Sequence, residues 1–495
     1  MEIAYGIIFY LIAALTIYYQ ISLFITQFYN AKRMLILEKQ KLRGFQYNLF
    51  FLCSLFLIFL SVGLAFEHII YSDAIILIAF FISFLSYSKI SFRFTRRSII
   101  LLVVSLLIIG AIICFKTLYV IYFLSILFIL FPAFFVIVFN YLVYPIEYFV
   151  RQYYIKKAQK KLKMNKNLKI IAITGSYGKT SFKNYLYTIL NGKLNVLKTP
   201  GSVNTPMGIC KFINSELTPY DDYLILELGV DAPKSMKKFF KIFTPDLGII
   251  TSIGPMHIAT FKNIENIRKE KLTLFDYVKD ENGMFYNSDS KEIILNGRSK
   301  KSATGYSFKE IEILSQDYTG TTFKFQNHTC QVRLLGKYQL TNLIGAIKVA
   351  KYLSVNDEII YQRLGSILPE NHRMSIEVIN NTKFIDDSYN NNFLELSSSI
   401  EILNNFVGTK GIILTGLIET GDKSDSINYQ LGQLLINFQE IVVLSNSNKG
   451  LVDGLKSINK QYKTFDKYLD GLSYLKKKNL DYVLLCSNAH EEYIK

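Results

Sequence analysis

"LKIIAITGSYGKTS", residues 168 to 181, decides how this 495-residue chain is read. LKIIAI is a buried-strand pattern, the residues after Lys179 read as helix, and a Gly-Lys-Thr turn joins the two. Backbone N–H groups at a helix start, together with the helix dipole, favour an anion, and glycine lets the chain approach it closely. Lys179 would then neutralise the terminal phosphates of a nucleotide, and Thr180 would ligate Mg²⁺. The common G-x-x-x-x-G-K-[ST] loop needs glycine where this chain has Ile173; the shorter T-G-x-x-G-K-T is present. Strand, turn and helix in that order predict an ATP-phosphate site at Gly175, Ser176, Gly178, Lys179, Thr180 and Ser181.

Before the loop the chain changes character. Half of all residues are hydrophobic and the formal net charge is +17. Residues 4–28, 48–66, 70–88, 98–115 and 118–142 are almost wholly apolar, each near the ~20 residues that span a bilayer. The reading is an α-helical transmembrane bundle of about five spans in residues 1–150. Lys32, Arg33, Lys39, Lys41 and Arg43 crowd the first connection, and Lys89, Arg93, Arg96 and Arg97 the third. Positive loops stay inside, which predicts a multi-pass protein of the cytoplasmic membrane, catalytic part on the cytoplasmic side, with membrane lipid as a partner. Residues 151–169 carry eight basic residues and no acidic one. That run predicts a juxtamembrane linker (151–167) lying against anionic headgroups, not a nucleic-acid contact. Cys53, Cys114, Cys210, Cys330 and Cys486 have no paired spacing, so neither a disulfide framework nor a zinc site is expected.

After residue 168, short apolar runs ("LKIIAIT", "YLILELG", "LGIITSI", "TKFIDD", "GIILTG", "IVVLS", "YVLLCS") alternate with helical stretches. Alternation of this kind predicts α/β architecture with largely parallel sheets. "LPENHR" (368–373) marks a boundary between a central P-loop ATPase-like domain (168–367) and a C-terminal Rossmann-like α/β domain (368–495).

"AITGSYGKTS" resembles the Mur ligases, the ATP-dependent amide ligases of cell-wall precursor synthesis, together with folylpolyglutamate synthetase. The rest of that family's set follows in order. "TPGSVNTPMG" (199–208) looks like the substrate-side loop of the D-alanyl-D-alanine-adding branch, with Ser202, Asn204 and Thr205. "LILELG" offers Glu227, "TSIGPMH" His257 and "IENIRKEKLTLF" Lys271. "YNSD" offers Asn287, "GKYQLTN" Asn342 and "NHR" Arg373. "IDDSYNNN" supplies Asp386, Asp387, Tyr389, Asn390 and Asn392, and "LTGLIETG" supplies Glu419. The matches extend over about 320 residues in order.

The resemblance implies an amide ligase that activates a carboxylate as an acyl phosphate, with ATP and two Mg²⁺ ions. It implies catalytic roles for Lys179, Glu227, His257 and Lys271. Thr180, Glu227, His257 and a carbamylated Lys271 would be metal ligands, because an unmodified ammonium has no acceptor. Asn287 and Asn342 would lie at the adenine, and Arg373 and Asp387 would contact ATP. Ser202, Asn204, Thr205, Tyr389, Asn390 and Asn392 would contact substrate. The implied substrates are UDP-linked muramyl tripeptide and D-alanyl-D-alanine. Tyr338 stands where a histidine is usual, Phe393 replaces a proline, and the family's late Lys-Gly-Ser appears as "LLCSN" (484–488). The apolar first third occupies the place of the family's uridine-binding domain, which leaves a lipid-linked precursor as the alternative acyl substrate. An ATP-driven transporter ranks last: the strand end reads Glu227-Leu228-Gly229 in place of an Asp-Glu pair, and no L-S-G-G-Q-like signature is present.

Overall fold

The computed structural model describes residues 98–100, 102–104, 132–192, 194–389, 393–417, 424–444 and 448–486. The chain divides into two units, 1–153 and 154–495. The second is α/β throughout.

The fold class expected for the first third is corrected. Among the described residues no helix is long and apolar enough to cross a membrane, and the described sheets are those of an α/β protein. Nothing among the described residues supports the five-span bundle, or the multi-pass location and the lipid partner that rested on it. The expected spans at 4–28, 48–66 and 70–88 lie outside the described residues, with most of 98–115 and residues 118–131. The last expected span runs into one 33-residue helix, α1 (Pro132–Met164), which continues through the supposed linker. Pro145, Glu147 and Arg151 break its apolar run, and Arg151 pairs with Glu147 one turn away at 2.8 Å. Its basic end has a protein face. Ala158 is fully buried, with Tyr154, Ile155 and Leu162 packed on the same core cluster. Gln159 donates to the Lys241 carbonyl and Lys161 to the Leu217 carbonyl, at 2.8 and 3.0 Å. A count of basic residues registers the charge of this helix but not the apolar stripe between the charges.

Three sheets are present among the described residues. The first has the order β2-β3-β1-β4-β5-β6. It comprises β1 (Lys169–Thr174), β2 (Val196–Lys198), β3 (Tyr223–Glu227), β4 (Leu247–Ile250), β5 (Met284–Asn287) and β6 (Thr304–Tyr306). Every pairing in it is parallel. β7 (Ile311–Asp317), β8 (Gly320–Phe325) and β9 (His328–Val332) form an antiparallel meander. The last sheet has the order β10-β11-β15-β12-β13-β14, with β10 (Ser375–Ile379) antiparallel to β11 (Thr382–Asp387). The remainder are β12 (Lys410–Leu414), β13 (Glu440–Leu444), β14 (Lys463–Phe465) and β15 (Tyr482–Cys486). All seven apolar runs read as strands are strands. β2, β5, β6, the meander, β10 and β14 were not anticipated; they are short, or half-exposed and too polar to stand out.

β1 explains the two-sided core. Ile171 and Ile173 face one cluster, with Phe182, Leu186 and Leu343. Ile170 and Ala172 face the other, with Ile213, Phe239 and Phe275. The period of two divides one strand between two layers of helices. On the first face α2 (Lys179–Leu190) packs against α5 (Lys337–Tyr352); on the second lie α3 (Pro206–Glu216) and α4 (Ile264–Tyr277). α2 meets α5 closely because Gly345 has no side chain: a Cβ there would lie 2.6 Å from the Phe182 ring and 2.8 Å from that of Tyr306. Gly345→Ala is therefore expected to cost about 1–3 kcal/mol by overpacking. A melting curve should fall by several degrees; an unchanged midpoint would mean that the two helices separate freely.

Candidate active site

The first sheet places the site. β1 leads to β2 and β3 on one side and to β4, β5 and β6 on the other, so the chain changes direction beside β1. Crevices outside the carboxyl ends of such strands are where parallel sheets bind ligands. Thr174, Glu227, Ile250 and Asn287 end their strands at that edge.

The loop Gly175–Gly178 is held from beneath by the segment after β4. Ser176 N–H donates to the Ser252 carbonyl at 2.8 Å, and Tyr177 N–H to the Ser252 hydroxyl at 2.9 Å. Ser176 Oγ donates to the Gly254 carbonyl and accepts from its N–H, at 3.1 and 2.9 Å. Gly178 starts α2 at φ 78°, left-handed, and a Cβ there would lie 2.5 Å from Nδ2 of Asn342. Only glycine fits both constraints. The same fact puts Asn342, on α5, over the loop.

Lys179 Nζ turns back on the loop and donates to the carbonyls of Gly175 and Ser176, at 2.9 and 3.3 Å. Burial pulls its pKa down, with Glu227 acting the other way. Lys271, on α4 and 2% exposed, donates to the same Gly175 carbonyl at 3.1 Å. Two lysines thus share one neutral acceptor. Burial first, then the charge of Lys179, pulls the Lys271 pKa well below the ordinary value. Both effects act against the ammonium form.

Glu227 is the hub. It is 1% exposed, its Oε2 accepts from the Thr180 hydroxyl at 2.9 Å, and its Oε1 accepts from the Asn204 amide at 3.1 Å. The phosphate-loop helix and the 199–208 loop therefore meet on one carboxylate. In that loop Thr205 caps α3 through the Gly208 N–H at 3.2 Å, while Ser202 is exposed. Lys183, one turn beyond Lys179, reaches Glu227 Oε2 at 3.3 Å with 0% side-chain exposure. Sequence reading missed it, although an (i, i+4) lysine on the phosphate helix was a usable signal.

The other sequence candidates are dispersed. His257 is exposed and left-handed (φ 60°) at the start of the short helix Ile258–Phe261. Among the described residues no three His, Cys, Asp or Glu side chains gather as a metal group. Asn287 is buried at the end of β5 and accepts from the Asp289 N–H at 2.9 Å. Arg373 lies over the Tyr389 ring, 4.3 Å from its centroid. With Gly178, Ser181, Asn342 and Tyr338 it lines a cavity closed by Glu395 and Ser399 of α6 (Phe393–Asn405). Glu395 also escaped sequence reading; it sits just beyond the asparagine run. Asp387 is fully buried and accepts from Ser399 Oγ at 2.5 Å, and Asp386 accepts from His372 at 2.7 Å. Asn390, Asn392 and Glu419 lie outside the described residues.

A glycine-rich phosphate loop at the switch point of a parallel sheet, with a second α/β sheet contributing to its cavity, defines a nucleotide-dependent enzyme. Residues 173–350 match the Mur ligase middle domain family. A UDP-N-acetylmuramoyl-tripeptide–D-alanyl-D-alanine ligase of Borreliella burgdorferi is 28% identical over 322 residues, 61% of this chain and 68% of that protein. The Bacillus subtilis protein of that name is 24% identical over 276 residues, 54% of this chain and 60% of its own. The chain thus spans roughly three fifths to two thirds of these relatives' length. The crystal structure of the MurF ligase of Thermotoga maritima in complex with ADP shares the fold, with a TM-score of 0.58 at 23% identity. It covers 68% of this chain and 79% of its own.

Proposed function

We propose that the chain is an ATP-dependent ligase that joins D-alanyl-D-alanine to UDP-N-acetylmuramoyl-tripeptide. The observation that carries the proposal is the shared carboxylate of Glu227, which holds Thr180 of the phosphate helix and Asn204 of the 199–208 loop. A phosphoryl donor on one side and an acyl substrate on the other would face each other there.

The chemistry has two steps. A carboxylate oxygen of the peptide attacks the γ-phosphorus of ATP, an O–P bond forms, and the bond to the β-phosphate oxygen breaks to release ADP. The D-alanyl-D-alanine amine then attacks the acyl carbon, phosphate leaves, and the amine nitrogen loses a proton. Lys179 would swing from the loop carbonyls to the terminal phosphates, where its charge offsets that of the transferred group. Loop N–H groups at the start of α2 would hold the phosphates. Arg373 would approach from the C-terminal sheet, with Asn342 on the nucleotide side.

Thr180 and Glu227 suit magnesium, being hard oxygen donors from two elements converging within 2.9 Å. They would hold the ion, which supplies neutralising charge for the phosphates. Lys271 suits carbamylation for a separate reason. Burial and the charge of Lys179 disfavour its ammonium form; the amine, once deprotonated, can add to carbon dioxide with loss of a further proton, and the resulting negative charge would sit beside Lys179. Such a group replaces a repulsive lysine pair with an attractive one.

The test is direct. Purified protein, given ATP, Mg²⁺, UDP-linked tripeptide and D-alanyl-D-alanine, should release phosphate only when both substrates are present. The product mass should equal their sum less one water. Phosphate release indifferent to the dipeptide would sink the proposal.

A further inference from the structure

Lys183 is a buried cation that the steps above do not use. Its side chain is fully enclosed, and among the described residues it makes two polar contacts beyond its own helix. One is to Glu227 Oε2 at 3.3 Å; the other is a hydrogen bond donated to the Gly201 carbonyl. Burial lowers its pKa, and Glu227 opposes that shift. The loop 199–208 has further ties to the same strand end. Gly229 N–H donates to the Asn204 carbonyl at 2.8 Å, and a Cβ on Gly229 would lie 2.8 Å from Asn204 Oδ1. The loop therefore rests on Gly229, Glu227 and Lys183, and Lys183 alone of these belongs to the phosphate helix.

We propose that Lys183 is a positioning residue that sets the substrate-side loop against the phosphate helix and tempers the charge of Glu227. The proposal rests on the ligase reading above. Two consequences follow from the two contacts. Without the hydrogen bond to Gly201 the loop loses its direct hydrogen bond to the phosphate helix and keeps only the link through Glu227, so the acyl substrate binds less well. Without the ammonium, Glu227 is a buried carboxylate that has lost its ion-pair partner at 3.3 Å, and it attracts a divalent cation more strongly. The two effects run in opposite directions, which a general loosening of the fold would not produce.

The experiment uses the full chain with K183M, which keeps the length of the side chain and removes its charge and donors. K183M should raise the KM for the UDP-linked tripeptide tenfold or more, with the KM for ATP changed less than threefold. Binding of a fluorescent ADP analogue, titrated with Mg²⁺, should reach half-saturation at threefold lower Mg²⁺ or less. A cooperative melting curve establishes that the variant is folded. If it does not fold, K183Q is measured instead; it keeps a donor, so the Mg²⁺ shift should persist with a smaller rise in KM. Unchanged KM for the tripeptide, or an unchanged or higher Mg²⁺ requirement, overturns the proposal. A wild-type protein without ligase turnover overturns the underlying reading, whereas the Mg²⁺ titration still reports on Lys183.

Discussion

Lys179→Ala is expected to lower ligase turnover by about 10²–10³-fold, the usual cost of removing one preorganised group that stabilises developing charge. The fold should scarcely register it. Among the described residues Lys179 donates hydrogen bonds to the carbonyls of its own loop at 2.9 and 3.3 Å, and burial already disfavours its charged form. The lost hydrogen bonds and the relieved desolvation offset one another, so a stability change within about 1 kcal/mol is expected. Steady-state phosphate release and a melting curve on the same preparation separate the two effects. Turnover equal to wild type would mean that the glycine-lysine turn does not hold ATP.

Lys271→Ala should be comparably inactive, but for a reason that can be reversed. If Lys271 acts as a carbamate, a small carboxylic acid diffusing into the space left by the side chain can replace the missing negative charge. Partial recovery with millimolar formate or acetate is the expected result. Lys271→Arg should stay inactive, because guanidinium offers no acceptor and cannot form a carbamate. It would also set a permanent cation beside Lys179, where burial and like charge already drive Lys271 towards the neutral amine. A fully active Lys271→Arg protein would refute the carbamate, and failure of every carboxylate to restore Lys271→Ala would weaken it.

The legible part of the site was its linear part. Gly175, Gly178, Lys179 and Thr180 announce an anion site because a strand, a glycine turn and a helix start are adjacent in the chain, and all four lie at the turn from β1 into α2. Glu227 was legible as an acidic strand end, and Asn204 and Arg373 through resemblance. Lys271 was legible only through that resemblance; unaided it is one charge on a charged helix, and packing is what buries it. His257 matches the pattern of residues, but its left-handed position at an exposed turn keeps it out of any metal-type cluster among the described residues. At α1, residues 151–167 read in the sequence as a linker lying on headgroups. A count of basic residues does not register the protein surface on which Ala158, Ile155 and Leu162 are packed.

The sequence by itself determined the α/β architecture after residue 168, the strand-turn-helix form of the glycine loop and seven strands of the two largely parallel sheets. Those are local properties: a period of two in β1, a run of four or five apolar residues, a glycine that must turn. Tertiary structure decided what joins what. Thr180 and Glu227 are 47 positions apart, Lys183 and Glu227 44, and Lys271 and Gly175 96, yet each pair is in hydrogen-bonding contact. Asn184 and Glu370, 186 apart, tie the phosphate helix to the segment that leads into the last sheet. No pattern within a window of the chain encodes such pairs. They arise because parallel strands deliver their carboxyl ends to one edge, and because a buried charge is stable only where the fold brings it a partner.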